Sequence, residues 1–320
     1  MIHFQILGRS LRLTGTVEAA LETALRSRWD FPEYEHDAHP FGLAIEILDG
    51  TASIFPAELP FTNLELPAGN LECRTLETVV WLGDVTVGVR AELLEQQLLI
   101  RAWGVRARNV ELLHLVIAEG LRASGLISLH ASIAARMTAS ITAQDGLAIA
   151  FLGPSGRGKT TTLLRSLEAG FVPVCEDFAW CDPITLEVFG FDRGLRLLPD
   201  TATFFEERFG IKPSIWQVDK WFVPYSSLNL ERRPVRLAMI ALLERQPDCP
   251  SAFEALSKRL AALAFWEASG LPLLRTVQDR ISQQIAGMVA RLEVRRLVLG
   301  QGPIPFDQVL VDQVETQTGG

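Results

Sequence analysis

At 320 residues the chain has about two average domains' worth of length and can bury a sizeable core without disulfides or metals. Hydrophobic residues make up 48% and charged ones 21%, and no apolar run reaches the roughly 18 residues of a membrane span, so a folded, soluble protein with no membrane partner is expected. Thirty Lys and Arg against 38 Asp and Glu leave a net charge of −8, a poor match to a nucleic-acid partner whose phosphates must be neutralised.

Cys73, Cys175, Cys181 and Cys249 contain no CxxC pair and are too sparse for a disulfide scaffold. The start MIHFQILGRS has no basic stretch followed by a signal-type apolar run, and the reduced cytoplasm is the expected compartment.

In chain order, HFQILGRSLRLTG reads as strand, and TVEAALETALRSRW as a helix with Val17, Ala20, Leu21, Ala24 and Leu25 on one stripe and Thr16 as N-cap. Pro, Gly and Asp break the apolar runs between residues 30 and 70. TVVWLGDVTVGVRAELL and LLIRAWG then read as strands around a Glu95-Gln96-Gln97 turn. NVELLHLVIAEGLRASG is an amphipathic helix ending at a glycine, with Leu112, Leu113, Val116, Ile117 and Leu121 on its apolar face. Residues 1–125 are thus expected to form an α+β half, a small sheet with helical cover. This half carries no chemical motif of its own and takes a structural or acceptor-presenting role.

From residue 126 the pattern changes to that of an α/β nucleotide fold. ISLHASIAA and GLAIAFLG read as apolar strands around an Asp145-Gly146 turn, followed by a glycine-rich loop, a helix and the strand FVPVC. Residues 200–233, rich in Phe, Trp and Pro with no clean period, read as an excursion over the site. VRLAMIALLER is a further strand, KRLAALAF and RISQQIAGMVARL are helices, and RRLVLG is a last strand before a closing helix. The domain is expected to span 126–315, with 316–320 as a flexible tail.

Gly153-Pro154-Ser155-Gly156-Arg157-Gly158-Lys159-Thr160 matches GxxxxGK[ST], with AIAFL as a buried strand before it and TTTLLRSLEAG as a helix after it. Glycines at these positions let consecutive N–H groups and the helix N-terminus converge on a nucleotide's phosphates, continuing through Thr161. Lys159 reaches the terminal phosphates, and the Thr160 hydroxyl suits Mg²⁺. Glu176 and Asp177 follow FVPVC directly, which places them at the carboxyl edge of a strand expected to neighbour the P-loop strand. One can hold the metal and the other act as base or orient water. His130, read as a strand residue, either tunes a carboxylate at that edge or fills the core. Arg193, Arg196 and Lys220 are cations placed to meet phosphoryl charge. Arg157 either touches phosphate or points to solvent. Cys175 and Cys181 flank the acidic pair, but without a second pair or nearby histidines they do not make a zinc site. Trp180, Trp216 and Trp221 read as packing ahead of a peptide-binding surface.

Leu129-His130-Ala131-Ser132, the loop GPSGRGKT, the helix ending at Gly170 and Glu176-Asp177 together resemble the HPr serine kinase/phosphorylase family, whose P-loop domain is similar to that of phosphoenolpyruvate carboxykinase. The resemblance covers residues 126–200 and, more loosely, the rest of the C-terminal half. It implies an HPr-kinase-like P-loop core with a mixed sheet, with His130, Glu176 and Asp177 supplying a catalytic base and a metal ligand. Lys220 in Val218-Asp219-Lys220-Trp221 resembles a lysine-bearing turn of the broader group. Glu176 stands where the family carries aspartate, and Gly190-Phe191-Asp192-Arg193-Gly194-Leu195-Arg196-Leu197 replaces its glycine-rich signature. In this the chain is closer to the HPr-kinase-like enzymes of peptide-modification clusters, including those that phosphorylate a serine of a lasso-peptide precursor.

The resemblance and the motif together imply a Mg·ATP-dependent kinase acting on a serine hydroxyl of a peptide or protein. Lys159 would hold phosphate, Thr160 and Asp177 the metal, and Glu176 with His130 would activate the hydroxyl. A P-loop ATPase, or a nucleotide-sensing regulator without phosphotransfer, is the alternative, and a homo-oligomer is left open.

Overall fold

The computed structural model describes residues 1–31, 39–50, 56, 58–66, 69–84, 86–136, 147–213, 215–217, 219–228 and 233–306. The Asp145-Gly146 turn, most of the closing helix and the 316–320 tail lie outside them. The architecture is α/β with mixed sheets, divided into one unit of residues 1–127 and 271–283 and another of 128–270 and 284–320. The sequence boundary at 125/126 falls beside the first break, whereas the return of residues 271–283 to the first unit leaves no mark in composition.

The first unit holds β1 (Ile2–Ile6), β2 (Arg9–Gly15), α1 (Ala19–Trp29), β3 (Gly42–Leu48), β4 (Thr62–Leu66), β5 (Gly69–Thr75), β6 (Val79–Gly83), β7 (Gly88–Leu93), β8 (Gln97–Trp103) and α2 (Glu111–Ala123). Its sheet is not small: eight strands run in the order β1-β2-β3-β8-β7-β6-β5-β4, with β2, β3 and β8 parallel and the other pairs antiparallel. Strand β3, in the stretch where the sequence shows only broken apolar runs, alternates with Leu43, Ile45 and Ile47 buried. The apolar face of α2 packs on β3, β7 and β8, and all five residues expected on it are buried. Helix α1 starts later than its sequence suggests. The hydroxyl of Thr16 donates to Asp49 Oδ2 at 3.0 Å instead of capping, Glu18 takes the N-cap position, and Ala20 is exposed while Leu21, Leu25 and Trp29 are buried.

The second unit's main sheet collects β9 (Ile127–Leu129), β10 (Ser132–Arg136), β11 (Leu147–Leu152), β12 (Val172–Cys175), β13 (Ala179–Cys181), β14 (Glu187–Gly190), β18 (Val235–Pro250), β19 (Ala252–Ala255) and β20 (Glu293–Gln301). A smaller sheet holds β15 (Gly194–Leu197), β17 (Lys220–Pro224) and β16 (Ile215–Gln217), in that order. Helices α3 (Lys159–Glu168), α4 (Pro199–Phe209) and α5 (Lys258–Ser269) belong to this unit, and α6 spans Arg275–Arg291. The main sheet runs β12-β10-β11-β18-β14-β13-β9, with β20 also on β18 and β19 on β20. Strand β11 pairs antiparallel with β10 and parallel with β18. Helix α3 packs on β10, β11 and β12, and α5 on β11 and β18, so five of the six residues of β11 are buried, as a strand covered on both faces requires.

This topology corrects the placement of the acidic pair. Strand β12 does not neighbour the P-loop strand: β10 lies between them, antiparallel to both. Two antiparallel steps leave β11 and β12 parallel, so their carboxyl ends still share one edge of the sheet. The run ISLHASIAA is likewise two strands, because the His130 N–H leaves the ladder to donate to Ala268 O at 2.8 Å. The stretch 200–233, which has no clean period in sequence, holds regular elements among its described residues. It contains α4, β16 and β17, with Phe205 and Val223 in one core with Leu195, Leu197, Phe151 and Leu163. Among the described residues no helix is long and apolar enough to cross a membrane.

Candidate functional site

The loop between β11 and α3 turns through left-handed backbone at Gly156 and Gly158, φ +78° and +96°, a conformation that side chains with a Cβ rarely adopt. Gly158 is the N-cap of α3, so the unpaired N–H groups of the first helical turn face the loop. Lys159, 8% exposed, reaches back and donates from Nζ to Gly153 O at 2.8 Å and Pro154 O at 3.4 Å. Burial draws its ammonium pKa below the ordinary value; Asp177 and Glu176 pull it up, and Lys220 adds to the fall. Pro154, Ser155 and Arg157 are exposed along the loop.

Thr160, one residue into α3, donates its hydroxyl to Glu176 Oε1 at 2.5 Å. Glu176 is 4% exposed. Burial pushes its carboxyl above the ordinary range; the Thr160 hydrogen bond and Arg196 oppose this, and the charges of Asp177 and Asp192 reinforce it. Asp177 turns the other way, with Oδ1 3.3 Å from His130 Nδ1 and Oδ2 accepting from Arg196 Nη2. Arg196 Nε also lies 3.8 Å from Glu176 Oε2. The pairing is thus the reverse of that expected: Thr160 meets Glu176 and His130 meets Asp177. Both residues lie in the bend just past β12, and the turn clamped there sends the neighbouring carboxylates to different partners.

His130 is neither a strand residue nor a core one, since 48% of its side chain is exposed in the break between β9 and β10. Arg196 and Lys220 are brought together by the small sheet. Pairing of Arg196 with Phe222 and of Lys220 with Gln217, and of Phe222 with Ile215, sets these side chains on one face, opposite the buried Leu195, Leu197 and Val223. The contacts of Arg196 with both carboxylates aim that face at the acidic pair. Arg193 is exposed, and its carbonyl accepts from Tyr225 N at 3.1 Å. Thr161 is exposed beside the loop.

Asp192 joins the site although the sequence gives it no role of its own. Its Oδ2 accepts from the backbone N–H groups of Glu176, Asp177 and Phe178 at 2.9, 2.7 and 2.9 Å, clamping the turn that carries the acidic pair. Burial raises its pKa, with the donated hydrogen bonds opposing the rise. Ser132 adds a second tie, its hydroxyl donating to Glu176 O at 2.5 Å.

The flanking cysteines serve packing. Cys175 is buried with Sγ donating to Ala131 O at 3.2 Å, and burial pushes the Cys181 thiol far up. No group of three or more His, Cys, Asp or Glu placed to hold a metal occurs among the described residues. Trp180 packs edge-on to Phe178 and Phe191, while Trp216, 51% exposed, meets the edge of Trp221. Neither a protein-family model nor a curated protein sequence matches the chain.

Proposed function

We propose that the chain is a Mg·ATP-dependent kinase that transfers the γ-phosphoryl group to a hydroxyl, with a serine of a peptide or protein as acceptor. In this reading the second unit is an HPr-kinase-like P-loop domain. The observation that carries it is the convergence on one sheet edge of the loop Lys159 and Thr160, the carboxylates Glu176 and Asp177, and the cation Arg196. A nucleotide-binding loop alone supports binding; two differently engaged carboxylates beside it support transfer.

The hydroxyl of Thr160 and the carboxylate of Glu176 form a hard-oxygen donor pair that fits Mg²⁺. A Mg²⁺ held by these two groups would supply positive charge to the nucleotide's phosphates. Lys159 and the loop N–H groups hold the phosphate chain. Asp177, free of Thr160, takes the proton of the acceptor hydroxyl, and His130 orients it. The acceptor oxygen forms a bond to the γ-phosphorus as the bond from that phosphorus to the bridging oxygen breaks, and ADP leaves. Arg196 and Lys220 face the charge that spreads over the transferring group. The roles first assigned to the two acids are therefore exchanged, with Glu176 as metal ligand and Asp177 as base.

The test is transfer from γ-labelled ATP with Mg²⁺ to a panel of serine-containing peptides and free serine. The expected result is label on an acceptor hydroxyl in the wild type, reduced roughly 100-fold or more in Lys159→Ala and Asp177→Asn. Binding or hydrolysis of ATP with no acceptor labelled across the panel would replace this reading with the ATPase or sensor one.

A further inference from the structure

Strand β16 forms the outer edge of the small sheet and, among the described residues, pairs with β17 alone. Its three residues are all exposed, Ile215 to 40%. The register continues inward from it. Ile215 stands opposite Phe222, and Phe222 opposite Arg196, whose guanidinium meets Asp177. Side chains in such a cross-strand row share one face of the sheet. Ile215 and the half-buried Phe222 thus form an apolar step beside the cation that contacts the acidic pair. Trp216, paired with Trp221, lies on the opposite face.

Charge on this face is one-sided. Besides Arg196 it carries Lys220, which makes no ion pair among the described residues and whose charge is felt at Lys159. No residue of β15, β16 or β17 is acidic. A segment crossing the face is therefore opposed where it is basic and favoured where it is apolar. The row ends at the base proposed for the acceptor hydroxyl, so the segment it suits is the acceptor's own. Neighbouring strands stand about 4.8 Å apart and an extended chain advances about 3.3 Å per residue. The middle of the step, about one and a half strand spacings from β15, is thus about two residues of extended chain from Arg196 and two or three from the base beyond it. We propose that Ile215 and Phe222 select the acceptor, an extended, non-basic segment that seats a bulky apolar side chain on this step about two or three positions from its serine. The proposal rests on the kinase reading for the place of the hydroxyl.

The experiment is transfer from γ-labelled ATP with Mg²⁺ to free serine and to synthetic Gly/Ala peptides with a central serine. Each peptide carries leucine, alanine or lysine two or three positions to either side of the serine. Wild type is compared with Ile215→Asp, Ile215→Ala and, on the opposite face, Trp216→Ala, each checked for thermal melt and elution volume. Ile215 is exposed, so its replacement spares the core. In the wild type, the best leucine peptide is expected to exceed its alanine counterpart roughly tenfold in kcat/KM, with the lysine peptide below both. Ile215→Asp should bring the leucine and alanine peptides to within about twofold and Ile215→Ala should weaken the preference, while transfer to free serine and KM for ATP stay at wild-type values. Trp216→Ala should keep the preference. Labelled acceptors with no preference for leucine, or a preference that survives Ile215→Asp, would overturn the proposal and leave the kinase reading standing. Loss of the preference in Trp216→Ala would also overturn it, as would a change in elution volume with Ile215→Asp, which would give the face to a second copy of the chain. No label on any acceptor would overturn both readings.

Discussion

Glu176 has an environment in which function and stability pull against each other. Its carboxylate must be ionised to act as a metal ligand, yet it is buried, with Asp177 and Asp192 nearby, and its pKa is raised for those reasons despite the Thr160 hydrogen bond and Arg196. A carboxyl whose folded pKa exceeds its unfolded value binds more protons in the folded state. Its contribution to stability therefore falls as pH rises from about the ordinary 4.5 through the raised value. Glu176→Gln retains an oxygen to accept from Thr160 and removes the buried charge. It is expected to exceed wild type in stability at pH 8 by on the order of 1 kcal/mol, with the gap closing toward pH 4.5, while phosphotransfer falls roughly 100-fold. Asp192 contributes a slope of the same sign in both proteins, so only the difference between their melting curves over pH 4.5–8 is diagnostic. A variant less stable than wild type at pH 8 would show that the charge is well compensated. Asp192 itself could not be read from sequence as a clamp, because the three N–H groups it accepts from converge only once the strand has turned at residues 176–178.

The small sheet depends on close approach of β15 to β17. A Cβ on Gly194 would stand 2.2 Å from Val223 O and 2.8 Å from Pro224 Cα, both backbone atoms of the paired strand. Gly194→Ala must therefore wedge the two strands apart and shift Arg196 away from Asp177. The expected outcome is a loss of about 1–3 kcal/mol in urea unfolding and a roughly tenfold fall in kcat, with Mg·ATP affinity nearly unchanged because the loop between β11 and α3 is untouched. Equal losses in kcat and nucleotide affinity would mean that the sheet supports the loop and not the transferring group. Elements of this kind were hardest to see in the sequence. Helix α2 was legible because Leu112, Leu113, Val116, Ile117 and Leu121 keep a helical period over three turns. Strand β16 has three residues, all exposed, and so offers no alternation at all. The glycine-rich loop and the acidic pair were legible from fixed spacing, whereas the insertion of β10 between β11 and β12 depends on strand order, which spacing along the chain does not encode.

At the scale of the whole molecule, the chain enters each unit twice, so a single cut at the first boundary does not yield a complete first unit. Residues 271–283 return to it with specific ties. Leu274 N donates to Glu119 at 2.8 Å, Thr276 donates its hydroxyl to Glu77 O at 3.0 Å, and Arg280 donates to Ala123 O at 2.5 Å. Glu119 is fully buried, with Arg122 at 3.4 Å, and burial raises its pKa. Without Leu274 its carboxylate loses a backbone donor in a place water does not reach, at a cost of about 1–3 kcal/mol. Loss of Leu274 itself, which is also fully buried, removes roughly 1.5–3 kcal/mol more. Against a typical stability of about 5–15 kcal/mol, these losses are a large fraction of the margin. A fragment of residues 1–127 is therefore expected to unfold at a urea midpoint well below that of the same fragment joined through a flexible linker to 271–283. Glu119→Leu in the shorter fragment should lose less than in the joined one, because the Leu274 hydrogen bond exists only in the latter. Equal midpoints for the two fragments would show that the first 127 residues are self-sufficient and that the returning segment adds to the unit without completing it.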